Sequence, residues 1–224
     1  MKIVSFSGID GAGKSTQINA LRDWLNQSGQ RTRLLTFWDD VVVAPGFREF
    51  ISHKAFKGDK GVGSPEKPLH RRDKNVTSLP VTALRFCLYF ADAVNLSRKI
   101  HNLKNSNTDV LILDRYIYDE LANLPLHNWF ARLFIRFVRS FVPAPDVAYV
   151  IDADPNAAYA RKPEYPLDFL RTNREAYLTL SRLTGDITVI EPLPIEAGTA
   201  RIREAFLQKL PEPQTGFSGL PALQ

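Results

Sequence analysis

Cysteine is almost absent from this chain: its 224 residues include one, Cys87. A single thiol excludes an internal disulfide and a cysteine-built metal cluster. Cys87 falls in an apolar pattern, which predicts a thiol packed into the core. Four histidines, His53, His70, His101 and His127, are scattered without ligand spacing, and neither a nucleophile triad nor an internal repeat is visible. No apolar run is long enough to cross a bilayer. The first residues lack the basic region, apolar run and small-residue cleavage site of a secretory signal. Together these absences predict a cytoplasmic protein without a membrane partner.

What is present is a globular composition. Hydrophobic residues make up 44% of the chain, enough for one sizeable core. The formal net charge is +5. Such a surface attracts phosphorylated metabolites, nucleic acid and acidic lipid alike, and charge alone does not choose among them.

Strand and helix patterns alternate along the chain. "KIVSFS", "RTRLLTF", "DVLILD", "VAYVID" and "DITVIE" read as short buried strands. Helical spacing runs over Gly13–Ser28, with Ile18, Leu21, Trp24 and Leu25 on one face and Gly29 as a stop signal. It returns over Pro45–Phe56 and over Val81–Leu103, where Leu84, Cys87, Leu88 and Ala91 share a face. Further helices are predicted over Tyr116–Leu124, His127–Phe141, from Pro155, over Leu167–Leu183 and over Ala200–Leu210. Parallel strands covered by helices on both faces are the expected result, with ligands beyond the carboxyl ends of the strands.

The first strand end carries a specific motif. In "SFSGIDGAGKSTQ", Gly8, Gly13, Lys14 and Ser15 match Gly-x-x-x-x-Gly-Lys-Ser/Thr between a predicted strand and a predicted helix. That context defines a P-loop, in which glycines let backbone N–H groups converge on phosphate oxygens at a helix N-terminus. Gly8, Gly11, Ala12, Gly13, Lys14, Ser15 and Thr16 are therefore the candidate triphosphate-binding residues, with Lys14 reaching the β- and γ-phosphates and Ser15 binding Mg2+. The fold class predicted is α/β: a P-loop NTPase three-layer sandwich with a five-stranded parallel sheet, helices on both faces and, as the family resemblance given below implies, a short lid at about 153–166. One domain is expected over 1–210, with a mobile basic loop at about 54–77 and a flexible tail over 211–224.

A second motif, "LILDRYIYDELA", places Asp114 at the end of a buried strand, followed by Arg115 and Tyr116. A strand-end acid assists Mg2+ in P-loop proteins, and arginine suits two-pronged phosphate recognition. A helix-capping Asp beside a surface Arg is the plainer alternative.

"GIDGAGKST" followed by "DRY" after an apolar strand resembles the thymidylate kinase family. "LRFCLYFADAVN" resembles that family's long helix, "VIDADPNAAYAR" its strand end and lid, and "FLRTNREAYLTL" the helix after the lid, so the likeness spans Lys2 to about Leu210. The resemblance implies an ATP- and Mg2+-dependent transfer of the γ-phosphoryl group to a small phosphorylated acceptor, a nucleoside monophosphate. It also implies roles for single residues. Asp10 faces the acceptor's sugar and the transfer centre. Arg115 holds the acceptor phosphate, and Arg161 supplies a lid cation. Arg174 matches a family arginine without an assigned role. Lys14, Asp10, Arg115 and Arg161 are the catalytic candidates.

The departures concern the acceptor. "TFWDD" stands where the family has an Arg-Glu-Pro run, Ala93 stands where an arginine reads thymine, and the lid lacks a longer arginine run. Triphosphate binding stands intact, and thymidylate selection does not follow. Asp39, Arg85, Tyr89, Arg115 and Tyr116 are the substrate-binding candidates, Ser15 and Asp114 the metal ligands. Asp39 could orient an acceptor hydroxyl or simply belong to a turn. Tyr89 or Phe90 could stack on a base, though neighbours on a helix face different ways. "HRRDKN", His70–Asn75, reads as a phosphate-gripping flap or a solvated loop. Two other readings stay open: a kinase for an unphosphorylated nucleoside or sugar, and a nucleotide switch with a basic partner-binding loop. No nucleic acid partner is expected, and a homodimer stays open.

Overall fold

The computed structural model describes residues 1–44, 46 and 79–209. The helix expected over Pro45–Phe56, apart from Gly46, and the basic loop, the tail, His53 and His70 lie outside the described residues.

β1 (Lys2–Ser7) is the central strand of a five-stranded sheet in the order β2-β3-β1-β4-β5, with β2 at Thr32–Thr36, β3 at Val110–Asp114, β4 at Val147–Ile151 and β5 at Ile187–Ile190. Every neighbouring pair is parallel, with Phe6 opposite both Asp114 on β3 and Tyr149 on β4. Val4, Phe6, Leu111, Ile112, Leu113 and Val147 are buried completely, as apolar runs in a sheet covered on both faces must be. Parallel pairing brings the carboxyl ends of all five strands to one edge. After β3 the chain changes direction, adding β4 and β5 on the far side of β1, and this reversal opens a crevice beside β1.

Right-handed crossovers in opposite directions put their helices on opposite faces. On one face, α1 (Lys14–Gln27) packs against α7 (Ile195–Lys209) through an edge-on contact of Trp24 and Phe206. The other carries α2 (Leu79–Lys104), the short α3 (Tyr118–Leu121), α4 (Trp129–Phe141) and α6 (Leu167–Thr184). Between β4 and α6 stands α5 (Pro155–Arg161), capped by Asp154, whose carboxylate accepts from Asn156 N and Ala157 N.

Among the described residues the expected elements are present with some corrections. The buried face of α2 is Tyr89, Ala93, Leu96 and Ile100, not Leu84, Cys87, Leu88 and Ala91. Cys87 is exposed, because two residues before Tyr89 a helix has turned some 200° to its opposite side. The stretch Tyr116–Leu124 contains one helical turn only. The last helix begins at Ile195, five residues before the expected start. It follows Pro194, whose carbonyl accepts from Gly198 N. Finally, β2 does not run on through Phe37: Phe37–Val41 forms a π-helical turn, with Val42 N donating to Phe37 O and Thr36 N to the Asp40 carboxylate.

Candidate functional site

The loop between β1 and α1 closes tightly on β4 and α5. Gly8 has φ +141°, and a Cβ on it would lie 2.5 Å from Ile151 O. Gly11 has φ +80°, and a Cβ there would lie 2.4 Å from Ala158 O. Backbone thus meets backbone at both glycines, which sets the loop over the helix N-terminus. Lys14 is 8% exposed and folds back over this loop, donating to Gly8 O at 3.0 Å and Ile9 O at 2.8 Å. Burial, aided by the Arg115 charge, pushes its ammonium down to about 8, and Asp10 at 4.0 Å only partly opposes this. Ser15 and Thr16 follow on the exposed first turn of α1.

Arg115 lies on the other side of β1. Its N–H donates to Phe6 O, and its backbone has φ +70°, a left-handed conformation unusual for a side-chain-bearing residue. The guanidinium donates to Asp10 at 2.5 Å and to Asp119 at 2.6 Å, with a longer contact to Gly8 O. Burial works against its charge, and Asp119, Tyr177 and Asp10 outweigh burial, so its pKa stands above the ordinary arginine value.

Asp119 is the hub beneath. It is 3% exposed and accepts from Arg115, from Tyr177 Oη at 2.7 Å and from Ser7 Oγ at 2.6 Å. Burial, then the Asp119 charge, raise the Tyr177 hydroxyl well above its usual range, so it stays a donor. Asp114, at the end of β3, is half-buried, and burial raises its carboxyl despite the opposing charges of Arg115 and Lys14. Among the described residues no three or more His, Cys, Asp and Glu gather to hold a metal. Ser15 and Asp114 offer instead one hydroxyl and one carboxylate. That sparse oxygen set fits Mg2+ when phosphates and water complete its octahedron.

Two cavities flank the P-loop. One, of about 540 Å³, is lined on one side by Gly8, Ile9, Asp10, Arg115 and Asp119, with Trp38 and Asp39 from the π-helical turn. Tyr165, Phe169, Asn173 and Tyr177 close it from the chain after α5 and from α6, with Lys162 and Glu164 paired at its rim. The other, of about 510 Å³, lies over Gly11, Gly13 and Thr16, between Arg161 and the segment after β5. Arg161 is exposed beside Gly13, its Nε donating to Ala157 O.

The structure therefore gathers Asp10, Asp39 and Arg115 at one cavity, and Gly11, Ala12, Gly13, Thr16 and Arg161 at the other. It places three substrate candidates elsewhere. Tyr116 is 2% exposed, its hydroxyl donating to Pro143 O and its ring edge-on to Tyr118. Because Arg115 occupies a left-handed backbone position, the next side chain turns inward to the core. Tyr89 is buried on the inner face of α2, and neither it nor Arg85 lines either cavity. Arg174 gains a role: it makes a two-pronged pair with the buried Asp152 at 2.7 Å, tying α6 to the end of β4.

Asp119, Tyr177 and Asn173 went unread in the sequence. The Asp119 signal was present, since it stands four residues after Arg115 at helical spacing. Tyr177 and Asn173 carry no such signal, because they reach the site from a helix over fifty residues downstream.

No family model matches the chain. A protein of Pyrobaculum aerophilum named probable thymidylate kinase is 30% identical over 201 residues, covering 83% of this chain and 85% of that protein. One of Methanosphaera stadtmanae bearing the same name is 26% identical over 197 residues, covering 86% and 90%. Among solved structures, thymidylate kinase from Candida albicans superposes with a TM-score of 0.62 at 20% identity, covering 92% of this chain and 91% of that one. The Ehrlichia chaffeensis enzyme gives 0.57 at 18%, covering 92% and 98%. These structural likenesses concern the fold, whereas the archaeal sequence likeness extends along both chains: the chain belongs to the thymidylate kinase family.

Proposed function

We propose that this protein is an ATP-dependent phosphotransferase that passes the γ-phosphoryl group to a nucleoside monophosphate. The observation that carries the reading is the position of the P-loop between two cavities, with Lys14 at the loop and Arg115 on the acceptor side. In this reading the donor nucleotide occupies the cavity beside Arg161, with its phosphates on the backbone N–H groups of residues 11–16. The acceptor occupies the cavity beside Asp39. Transfer of this kind is mostly positioning and charge neutralisation. Lys14 and Arg161 neutralise the migrating charge, Asp10 orients Arg115 and the acceptor, and the segment 153–166 acts as the lid that excludes water. Ser15 and Asp114 would hold Mg2+, which supplies charge neutralisation at the β- and γ-phosphates.

The test is incubation with ATP, Mg2+ and a panel of nucleoside monophosphates, reading ADP and the diphosphate product. Transfer to at least one is expected. Bound ATP with no transfer to any of them overturns the reading.

One observation favours a second acceptor class. Asp10, Asp39, Asp119 and Glu164 line the acceptor cavity against Arg115 and Lys162, and Arg115 is already engaged by two carboxylates. That balance suits a neutral hydroxyl compound, such as a nucleoside. Arg115→Ala separates the two: a monophosphate acceptor loses about 2 kcal/mol or more of binding, a neutral one much less.

A further inference from the structure

Five residues, Lys-Pro-Glu-Tyr-Pro over 162–166, connect α5 to α6. They cross from one cavity to the other. Arg161, the last residue of α5, lines only the cavity over Gly11 and Gly13, whereas Glu164 and Tyr165 line only the one beside Asp39. Among the described residues Lys162 alone lines both. The connector is held at each end. Lys162 N donates to Ala158 O, closing the last turn of α5. Proline follows directly and keeps Lys162 out of the helical region, at φ −146° and ψ +82°. Pro166 precedes α6, and its carbonyl accepts from Phe169 N and Leu170 N. Two proline rings in five residues remove backbone freedom. The Tyr165 and Phe169 rings, 5.1 Å apart, brace the connector against α6. What can move here without the backbone is the lysine side chain, a point charge on a flexible four-carbon stem.

That charge is already engaged. Lys162 Nζ pairs with Glu164 Oε2 at 3.2 Å, with the glutamate on the acceptor side. The lysine side chain is 49% exposed and the glutamate 20%. An ion pair this wet is weak and readily exchanged. Water arriving as an acceptor brings no charge to compete with Glu164. A phosphate does: its oxygens and those of the γ-phosphoryl group draw the ammonium from the two cavities that Lys162 borders.

We propose that Glu164 is a positioning residue that holds Lys162 back until a phosphorylated acceptor displaces it, so that transfer to the acceptor outruns transfer to water. This rests on the assignment of the two cavities to donor and acceptor. In the favoured transfer an acceptor phosphate oxygen forms a bond to the γ-phosphorus. The bond from that phosphorus to the β–γ bridging oxygen breaks, and the oxygen leaves on ADP with the electron pair. Lys162, released from Glu164, offsets the repulsion between the acceptor phosphate and the migrating group. In hydrolysis the oxygen of water forms the new bond and gives its proton to solvent, while Lys162 stays on Glu164.

The test uses Glu164→Gln, Lys162→Ala and the double variant in the full chain with Mg2+. Two readouts need no acceptor. One is ATP hydrolysis. The other is calorimetric affinity for ADP with aluminium fluoride, a mimic of the migrating phosphoryl group, compared with ADP alone. Glu164→Gln should raise hydrolysis and tighten the aluminium fluoride complex, each about fivefold, and leave ADP affinity unchanged. The double variant should lose both gains, because they act through Lys162. Lys162→Ala alone should lower the rate of transfer to the monophosphate that accepts by about a hundredfold and change ATP affinity far less. Wild-type hydrolysis in Glu164→Gln overturns the proposal, as does a gain that survives Lys162→Ala. Failure of the wild type to transfer to any monophosphate strikes the acceptor reading. The hydrolysis and aluminium fluoride arms do not depend on that reading and still decide whether Glu164 restrains Lys162.

Discussion

The Arg115 guanidinium donates to Asp119 at 2.6 Å, four residues further along the chain, while its own backbone stands at φ +70°. A left-handed backbone costs a side-chain-bearing residue of order 1–2 kcal/mol. The buried carboxylate offsets that cost and aims the arginine at the crevice rather than at solvent. Asp119→Ala removes the acceptor for Arg115, Tyr177 and Ser7 together. The expected loss is about 3–5 kcal/mol of stability, read by urea denaturation. Asp119→Asn keeps the shape and loses the charge, so it should fold but lower the transfer rate more than ATP affinity. Equal loss of both would argue that Asp119 merely supports the fold.

Lys14 gives a pH dependence with a definite sign. Its folded pKa of about 8 lies below the unfolded value of 10.5. Between those values the unfolded chain binds more protons, so the Lys14 contribution to stability rises with pH across that window. Triphosphate binding runs the other way, because phosphate favours the charged ammonium. ATP affinity should fall as pH rises above 8, by up to about tenfold per pH unit. Calorimetry in buffers of different ionisation enthalpy should show proton uptake on binding in this range. No uptake would mean that Lys14 is fully charged before ATP arrives. Lys14→Ala should abolish triphosphate binding whatever the acceptor.

Gly11→Ala tests the closeness of the loop to α5. The added methyl would meet Ala158 O at 2.4 Å at a φ of +80°. Both chains of atoms are backbone, so neither can turn aside. The variant should lose about 1–3 kcal/mol of stability and bind ATP poorly. Gly185→Ala has a similar φ, +72°, but open space around it. It should lose only about 1 kcal/mol and keep ATP binding, as thermal unfolding with and without nucleotide would reveal.

Arg174→Gln leaves the Asp152 carboxylate, 9% exposed, with Ala153 N as its remaining donor. A variant that keeps only part of the pair frees α6, which supplies Phe169, Asn173 and Tyr177 to the acceptor cavity. The Michaelis constant for the acceptor should rise more than that for ATP. An equal rise in both would place the effect elsewhere.

The donor half of the site was legible in the sequence because its determinants are local. Gly8, Gly13, Lys14 and Ser15 lie within one strand-to-helix turn, and backbone geometry over eight residues dictates the residue types. Asp114 and Arg115 were legible for the same reason, standing at the end of a fully apolar run. Strands β1, β3 and β4 read correctly because burial on both faces leaves a continuous apolar signature, whereas β2, with Arg33 and Leu34 exposed, was read one residue too far, into Phe37. Periodicity was less informative on α2, where the exposed Cys87 looked as apolar as the residues that pack inside. Burial there depends on which side the sheet lies, and the side is a property of the crossover.

The sequence by itself determined the parallel sheet, the phosphate loop and the kinship with thymidylate kinases, all of which rest on contiguous patterns. Only the tertiary structure decided what surrounds Arg115. It turned Tyr116 inward and brought Asp10, Asp119 and Tyr177 together from three separate elements. It also left the aromatic side of α4 facing outward. A helix pattern reports how much apolar surface exists. How much of it the fold covers depends on the neighbours, and those are set by topology.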